Sequence, residues 1–144
     1  MKVADLLKIK GHSVVTATPE EPVFSAMQKL IENHIGSLVV CTDSKNIAGI
    51  ISERDVMRAA FRDYDSLKSK KVSDLMTTNL LIAIPEDDID YIMGVMTNNR
   101  IRHVPIVSKE EGLVGIVSIG DIVKYELEES QVKNRYLEEY LFNQ

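Results

Sequence analysis

The sequence predicts an α+β fold built from two tandem β-α-β-β-α repeats packed sheet to sheet with pseudo-two-fold symmetry. Three observations carry this expectation. Pro19 and Pro85 lie 66 residues apart, and the same offset relates Met27 to Met93, Asn33 to Asn99, Ile35 to Ile101 and Gly49 to Gly115 without a gap. It also relates Ile50 to Ile116, Ser52 to Ser118 and Asp55 to Asp121. Each repeat carries a strand, a polar turn and a second strand that runs through Ser-x-x-Asp into a helical pattern. A single repeat would leave one face of its sheet bare, so two are expected to pack together around a shared core.

Taken in order, residues 1–10 read as a short amphipathic helix with Val3, Leu6 and Leu7 apolar, ended by Gly11-His12. Ser13 to Thr18 alternates as a strand does, with Val14, Val15 and Ala17 apolar. Thr18-Pro19-Glu20-Glu21 predicts a helix start, with a capping hydroxyl, proline at the first helical position and Glu at the third. Val23, Ala26, Met27, Leu30 and Ile31 then fall on one helical face. Strands follow at Ser37 to Cys41 and Ile47 to Ile51, and a helix from about Glu53 to Arg62. Asp63 to Lys71 is polar and reads as a linker.

The pattern then restarts. Val72-Ser73-Asp74-Leu75-Met76 echoes Val3-Ala4-Asp5-Leu6-Leu7. Leu80 to Ile84 is a predicted strand, and Pro85-Glu86-Asp87-Asp88 opens a helix with Ile89, Ile92, Met93 and Met96 apolar. After it come a basic pair, a strand, a turn at Ser108 to Gly112, and a strand from Leu113 to Val117. Tyr125 to Gln144 is expected to be helical, either as a lid on the chain's own core or packed across a dimer. The expected division is a first repeat at 1–62, a linker at 63–71, a second repeat at 72–125 and a C-terminal helix at 126–144.

Composition narrows the function. At 144 residues, 44% hydrophobic and 27% charged, the chain has the make-up of a soluble globular protein. No apolar run approaches the ~20 residues that span a bilayer, and MKVADLLKIK lacks the apolar segment of a signal peptide. The expectation is a cytoplasmic protein that engages no membrane. Cys41, the one cysteine, sits in an apolar strand and reads as a small buried hydrophobe. A formal charge of −5 argues against nucleic acid, which calls for a concentrated basic face, but leaves room for a small anion. His12, His34 and His103 lack metal-ligand spacing, and no P-loop or Ser-His-Asp order is visible. No enzyme, catalytic residue or metal is therefore expected.

The repeated Ser-x-x-Asp has two compatible readings. As a capping box it satisfies the free N–H groups of a helix start. As a ligand site, its carboxylate can accept both hydroxyls of a ribose, while the helix N-terminus favours a phosphate.

Gly49-Ile50-Ile51-Ser52-Glu53-Arg54-Asp55, Gly115-Ile116-Val117-Ser118-Ile119-Gly120-Asp121 and Asn99-Arg100-Ile101-Arg102-His103-Val104-Pro105 together resemble a CBS domain pair, or Bateman module, of the stand-alone two-repeat type. The resemblance covers essentially the whole chain. It implies a sensor that binds an adenine ligand (AMP, ADP, ATP or NADH, with S-adenosylmethionine also known in the family) and signals to a regulated partner by changing shape. The alternative is a constitutive dimeric scaffold with vestigial clefts. The resemblance also implies a homodimer, here through the apolar sides of the helices that begin near Val56 and Ile122. It places Thr16, Arg102, His103, Ser118 and Asp121 around a main cleft, and Ser37, Ser52, Arg54, Asp55 and Ile82 around a second. The first repeat departs from the pattern, since Gly36-Ser37-Leu38-Val39 has neither the basic pair nor the proline, so the main cleft is expected to bind more tightly. Arg102 and His103 favour a phosphate-bearing ligand over cationic S-adenosylmethionine.

Overall fold

The structure, a computed structural model, describes residues 1–142. Its elements are α1 (Val3–Lys10), β1 (Thr16–Ala17), α2 (Val23–Glu32), β2 (Ser37–Cys41), β3 (Ile47–Ser52) and α3 (Glu53–Arg62), then a 3-10 turn at Asp65–Ser69. The second half holds α4 (Val72–Leu75), α5 (Ile89–Asn99), β4 (His103–Ser108), β5 (Gly112–Ser118) and α6 (Ile119–Phe142). In the first sheet β1 runs parallel to β2, which pairs antiparallel with β3. The second sheet is the β4–β5 antiparallel pair. The α+β repeat architecture is therefore present, with several local differences from the sequence expectation.

The predicted strand from Leu80 to Ile84 shrinks to one residue. Ala83 donates its N–H to the Pro105 carbonyl at 3.0 Å and accepts from the Val107 N–H at 2.9 Å. Its neighbours Leu81, Ile82 and Ile84 stay exposed. Apolar residues favour a strand when a pleated surface buries them, and only Ala83 is so buried. The entry strand of the first repeat is likewise two residues long rather than six.

Both prolines sit before their helices rather than in the first turn. Glu21 Oε1 accepts the Thr18 N–H at 3.2 Å, and Asp87 Oδ2 accepts the Ile84 N–H at 2.9 Å. These bonds close a turn, after which α2 starts at Val23 and α5 at Ile89. The local chemistry resembles a helix cap but serves the turn that precedes one.

The polar stretch from Asp63 to Lys71 is packed against the first repeat. Leu67 is buried, and the Lys70 carbonyl accepts the Val23 N–H at 3.0 Å. Val72 then donates to the Glu21 carbonyl at 2.8 Å and Ser73 to the Pro19 carbonyl at 2.9 Å. At the other end Val3 donates to Asp87 at 2.8 Å and Ala4 to Pro85 at 2.9 Å. The two short helices have thus exchanged places. Val3, Leu6 and Leu7 of α1 join the buried cluster of Ile92, Met96, Val104, Ile106 and Val117 in the second repeat. Leu67 and Val72 join Val23, Leu38, Val40 and Ile51 in the first.

The paired glycines admit the exchanged segments. A Cβ on Gly49 would sit 2.7 Å from the Thr77 carbonyl, and one on Gly115 would sit 2.6 Å from Leu7 Cδ2. Past the second junction, α6 is a single helix of 24 residues, so the junction helix and the expected C-terminal helix are continuous. Residues 143 and 144 of that expectation lie outside the described residues. No described helix is long and apolar enough to cross a membrane.

Candidate functional site

The two strand-to-helix junctions share one geometry. Asp55 Oδ2 accepts the Ser52 N–H at 2.8 Å, and Ser52 Oγ accepts the Asp55 N–H at 3.3 Å. Asp121 Oδ2 accepts the Ser118 N–H at 2.9 Å, and Ser118 Oγ accepts the Asp121 N–H at 3.1 Å. Each helix start is also tied to the loop before the opposite strand: Glu53 donates to the Gly36 carbonyl at 3.0 Å, Ile119 to the Arg102 carbonyl at 2.9 Å. Across the hairpins Ser37 pairs with Ser52 and His103 with Ser118. The capping reading of Ser-x-x-Asp is therefore realised at both sites. One oxygen of each carboxylate does the capping.

A cleft of about 400 Å³ opens beside Asp121, and one of about 440 Å³ beside Asp55. Both fall in the range of small-molecule sites. A third hollow of about 480 Å³ lies between Met27, Leu30 and Ile31 on one side and Glu53 and Val56 on the other. It contains neither junction carboxylate and is mostly apolar.

The Asp121 cleft holds Ser118 and His103 as expected, but its charge comes from an unexpected residue. Lys10, at the end of α1, donates to Asp121 Oδ2 at 2.5 Å and to the Ile116 carbonyl at 2.6 Å. Burial pushes the Asp121 carboxyl upward, but the bonds from Lys10 and the Ser118 N–H outweigh it and hold the group below its ordinary value. Burial pushes His103 down more than Asp121 and Glu53 draw it up. The imidazole is therefore neutral at pH 7, with one nitrogen donating and the other accepting.

Three expected placements need correction. Arg102 lines the Asp55 cleft and not that of Asp121. Arg102 and His103 share the Asp55 cleft, and only His103 reaches the Asp121 cleft as well. Thr16 lines neither. It is committed to β1 opposite Val39, and its carbonyl accepts Lys29 Nζ at 2.9 Å. The wall there is made by Ser13, Val14 and Val15. Ile82 is 54% exposed and lines neither cleft, and Thr77 stands in the Asp55 cleft instead.

Ser37, Ser52, Arg54 and Asp55 do meet in one cleft. Ser37 borders both clefts, and its buried hydroxyl has no hydrogen-bond partner among the described residues. Sequence reasoning missed Lys10, Arg58, Arg100 and Thr77. Arg58 had a usable signal, because it lies four residues after Arg54 and so on the same helical face. Arg100 caps α5 in the left-handed conformation, φ 54°. Lys10 had no local signal, being 111 residues from its partner. Among the described residues no cluster of three or more His, Cys, Asp or Glu side chains is placed to hold a metal ion.

Two in-register repeats, each with Ser-x-x-Asp at a helix N-terminus beside a cleft, define a tandem module of the Bateman type. The chain belongs to the CBS domain family, whose model matches residues 3–62 and 72–128. It is 35% identical over 147 residues to the mitochondrial CBS domain-containing protein CBSX3 of Arabidopsis thaliana, covering 96% of this chain and 71% of that one. Among solved structures it is similar to the CBS-domain protein ATU1752 of Agrobacterium tumefaciens, with a TM-score of 0.82 and 36% identity over 88% of this chain and 99% of that one. It is also similar to the CBS domain pair of protein MJ0100, crystallised with 5′-methylthioadenosine and S-adenosylmethionine, with a TM-score of 0.77 and 25% identity over 90% of this chain and 98% of that one.

Proposed function

We propose that this chain is a regulatory module that binds an adenine nucleotide in the clefts between its repeats and signals to a partner protein by a change of shape. The observation that carries the reading is the pair of junction carboxylates, each at a helix N-terminus on the wall of a nucleotide-sized cleft. Each has a free oxygen to accept ribose hydroxyls. The two ligands held by the MJ0100 pair share an adenosyl group, which supports adenosine as the recognised core. Abundant guanidinium groups favour a phosphate-bearing version of it here over a cationic one.

A shape change has a route outward. Both clefts are assembled from segments of both repeats, so a ligand that draws the walls together moves α3 against α6. Those helices expose Met57 and Phe61, and Val123 and Leu127, the second pair being the first displaced by 66 residues. The reading therefore includes a homodimer built on these faces, with the regulated partner sensing the dimer.

Thermal unfolding with AMP, ADP, ATP, NADH and S-adenosylmethionine tests the reading. A ligand at a hundred times its Kd adds about 2.7 kcal/mol to native stability, or several degrees in Tm for a chain of this size. A rise with at least one phosphate-bearing compound is expected. Unchanged melting with all five at millimolar concentration overturns the reading and favours a constitutive scaffold.

A further inference from the structure

The two clefts share a framework but not a charge. Arg54, Arg58, Arg100 and Arg102 all line the cleft beside Asp55. They are four of the chain's six arginines, and not one of its eleven lysines joins them. Among the described residues Glu53 and Asp55 are the only carboxylates there, so the lining is net positive in a chain of formal charge −5. Among the described residues none of the four guanidiniums makes an ion pair or a side-chain hydrogen bond. At the positions 66 residues away in sequence stand Gly120, Lys124, His34 and Gly36, none of them an arginine, and the other cleft is lined by no arginine among the described residues. The one ammonium lining that cleft, Lys10, is already paired with Asp121.

Solvated arginines are common singly. Four from two separate segments, against two carboxylates and with no ion pair to either, repel one another and call for an anion. Guanidinium is the group whose planar fork matches phosphate oxygens two at a time. One phosphate cannot use four forks, whereas a chain of two or three can. Two further details agree. Arg100 holds a left-handed backbone conformation that glycine would hold at lower cost, yet the residue there is an arginine whose side chain lines the cleft. The orphaned hydroxyl of Ser37, a residue only 6% exposed, borders the same space and lacks the partner that a buried polar group requires.

We propose that the cleft around Asp55 is a polyphosphate-selective site: Arg54, Arg58, Arg100 and Arg102 select the adenine ligand by its number of phosphates, preferring two or three over one. This rests on the adenine-nucleotide reading above and assigns the phosphate-rich ligand to the first repeat's cleft. The Asp121 cleft, neutralised by Lys10, does not discriminate in this way.

The test is calorimetry on the full chain, free of divalent metal, with adenosine, AMP, ATP and inorganic tripolyphosphate. One charged hydrogen bond corresponds to roughly tenfold to a hundredfold in affinity, so ATP should bind at least about tenfold tighter than AMP. Arg58→Gln and Arg100→Gly should each bring ATP close to AMP while leaving adenosine binding unchanged. Arg100→Gly also relieves the backbone, so its melting temperature should hold or rise, which separates lost binding from lost folding. Equal binding of AMP and ATP by the parent protein overturns the proposal and leaves the nucleotide reading intact. So does a preference for ATP that survives both substitutions. Arg100-dependent binding of tripolyphosphate with none of the three adenosine compounds bound keeps the anion site but overturns the nucleotide reading. No binding of any probe overturns both.

Discussion

Lys10 and Asp121 form an ion pair at 2.5 Å with each side chain about a quarter exposed, 24% and 26%. Their contact closes the N-terminal helix onto the last junction and fills the Asp121 cleft with a counter-charge. A charged hydrogen bond contributes ~1.5–3 kcal/mol when shielded, and solvent access here reduces that to about 1 kcal/mol. Lys10→Met should therefore lower the melting temperature by about 3 °C at pH 7. The Asp121 carboxyl is depressed in the folded state, so its contribution is complete above the unfolded value and is lost as pH falls through the folded one. The gap between parent and variant should then narrow below about pH 4 and close in stronger acid. Carboxyl-detected NMR titration gives the direct readout, an upward move of Asp121 in the variant. An Asp121 that titrates identically in both proteins would mean that Lys10 does not hold it.

At the scale of elements, the exchange of α1 and α4 explains why matched glycines occur in β3 and β5. Gly49 faces the Thr77 carbonyl, a backbone group that is itself bonded to the Ile50 N–H at 3.0 Å. Gly115 faces a methyl of Leu7, a side-chain atom rather than backbone. The same substitution should thus have different effects at equivalent positions. Gly49→Ala should cost about 2–3 kcal/mol, because overpacking against backbone has no rotamer to relax, and Gly115→Ala about 1 kcal/mol. Urea unfolding with an unchanged m-value would measure both. Equal losses would show that Leu7 is as rigid as a carbonyl.

At the scale of the whole molecule, the outer apolar surface is the main unsatisfied feature. The sequence pointed to the apolar sides of the helices that begin near Val56 and Ile122, two residues that themselves face the core. The exposed positions are one residue later, at Met57 and Val123, continued by Phe61, which is 92% exposed, and by Leu127. Positions i and i+4 fall on one side of a helix, so each pair is a continuous stripe facing away from the core. Exposed stripes of this kind mark association surfaces. Light scattering should return twice the chain mass of 16.2 kDa at tens of micromolar, and Phe61→Glu should return 16.2 kDa. A parent protein that scatters as a monomer removes the dimer from the functional reading.

The sequence by itself determined the repeat, its register, the hairpins and the Ser-x-x-Asp junctions. Each of these is written in neighbours a few residues apart: a cap needs a hydroxyl and an acid three positions on, and a strand or helix face needs only its own period. The family followed from the same residues. Only the tertiary structure decided which side chains share a cleft. Arg102 and His103 are adjacent in the chain, yet only His103 lines both clefts. Lys10 finds Asp121 because α1 crosses to the second repeat, 111 residues away. The apolar run from Leu80 to Ile84 forms no strand because only Ala83 meets a surface that buries it. Local hydrogen bonding and periodicity are set by chain neighbours, whereas the charge of a cleft depends on which distant segments the packed core brings face to face.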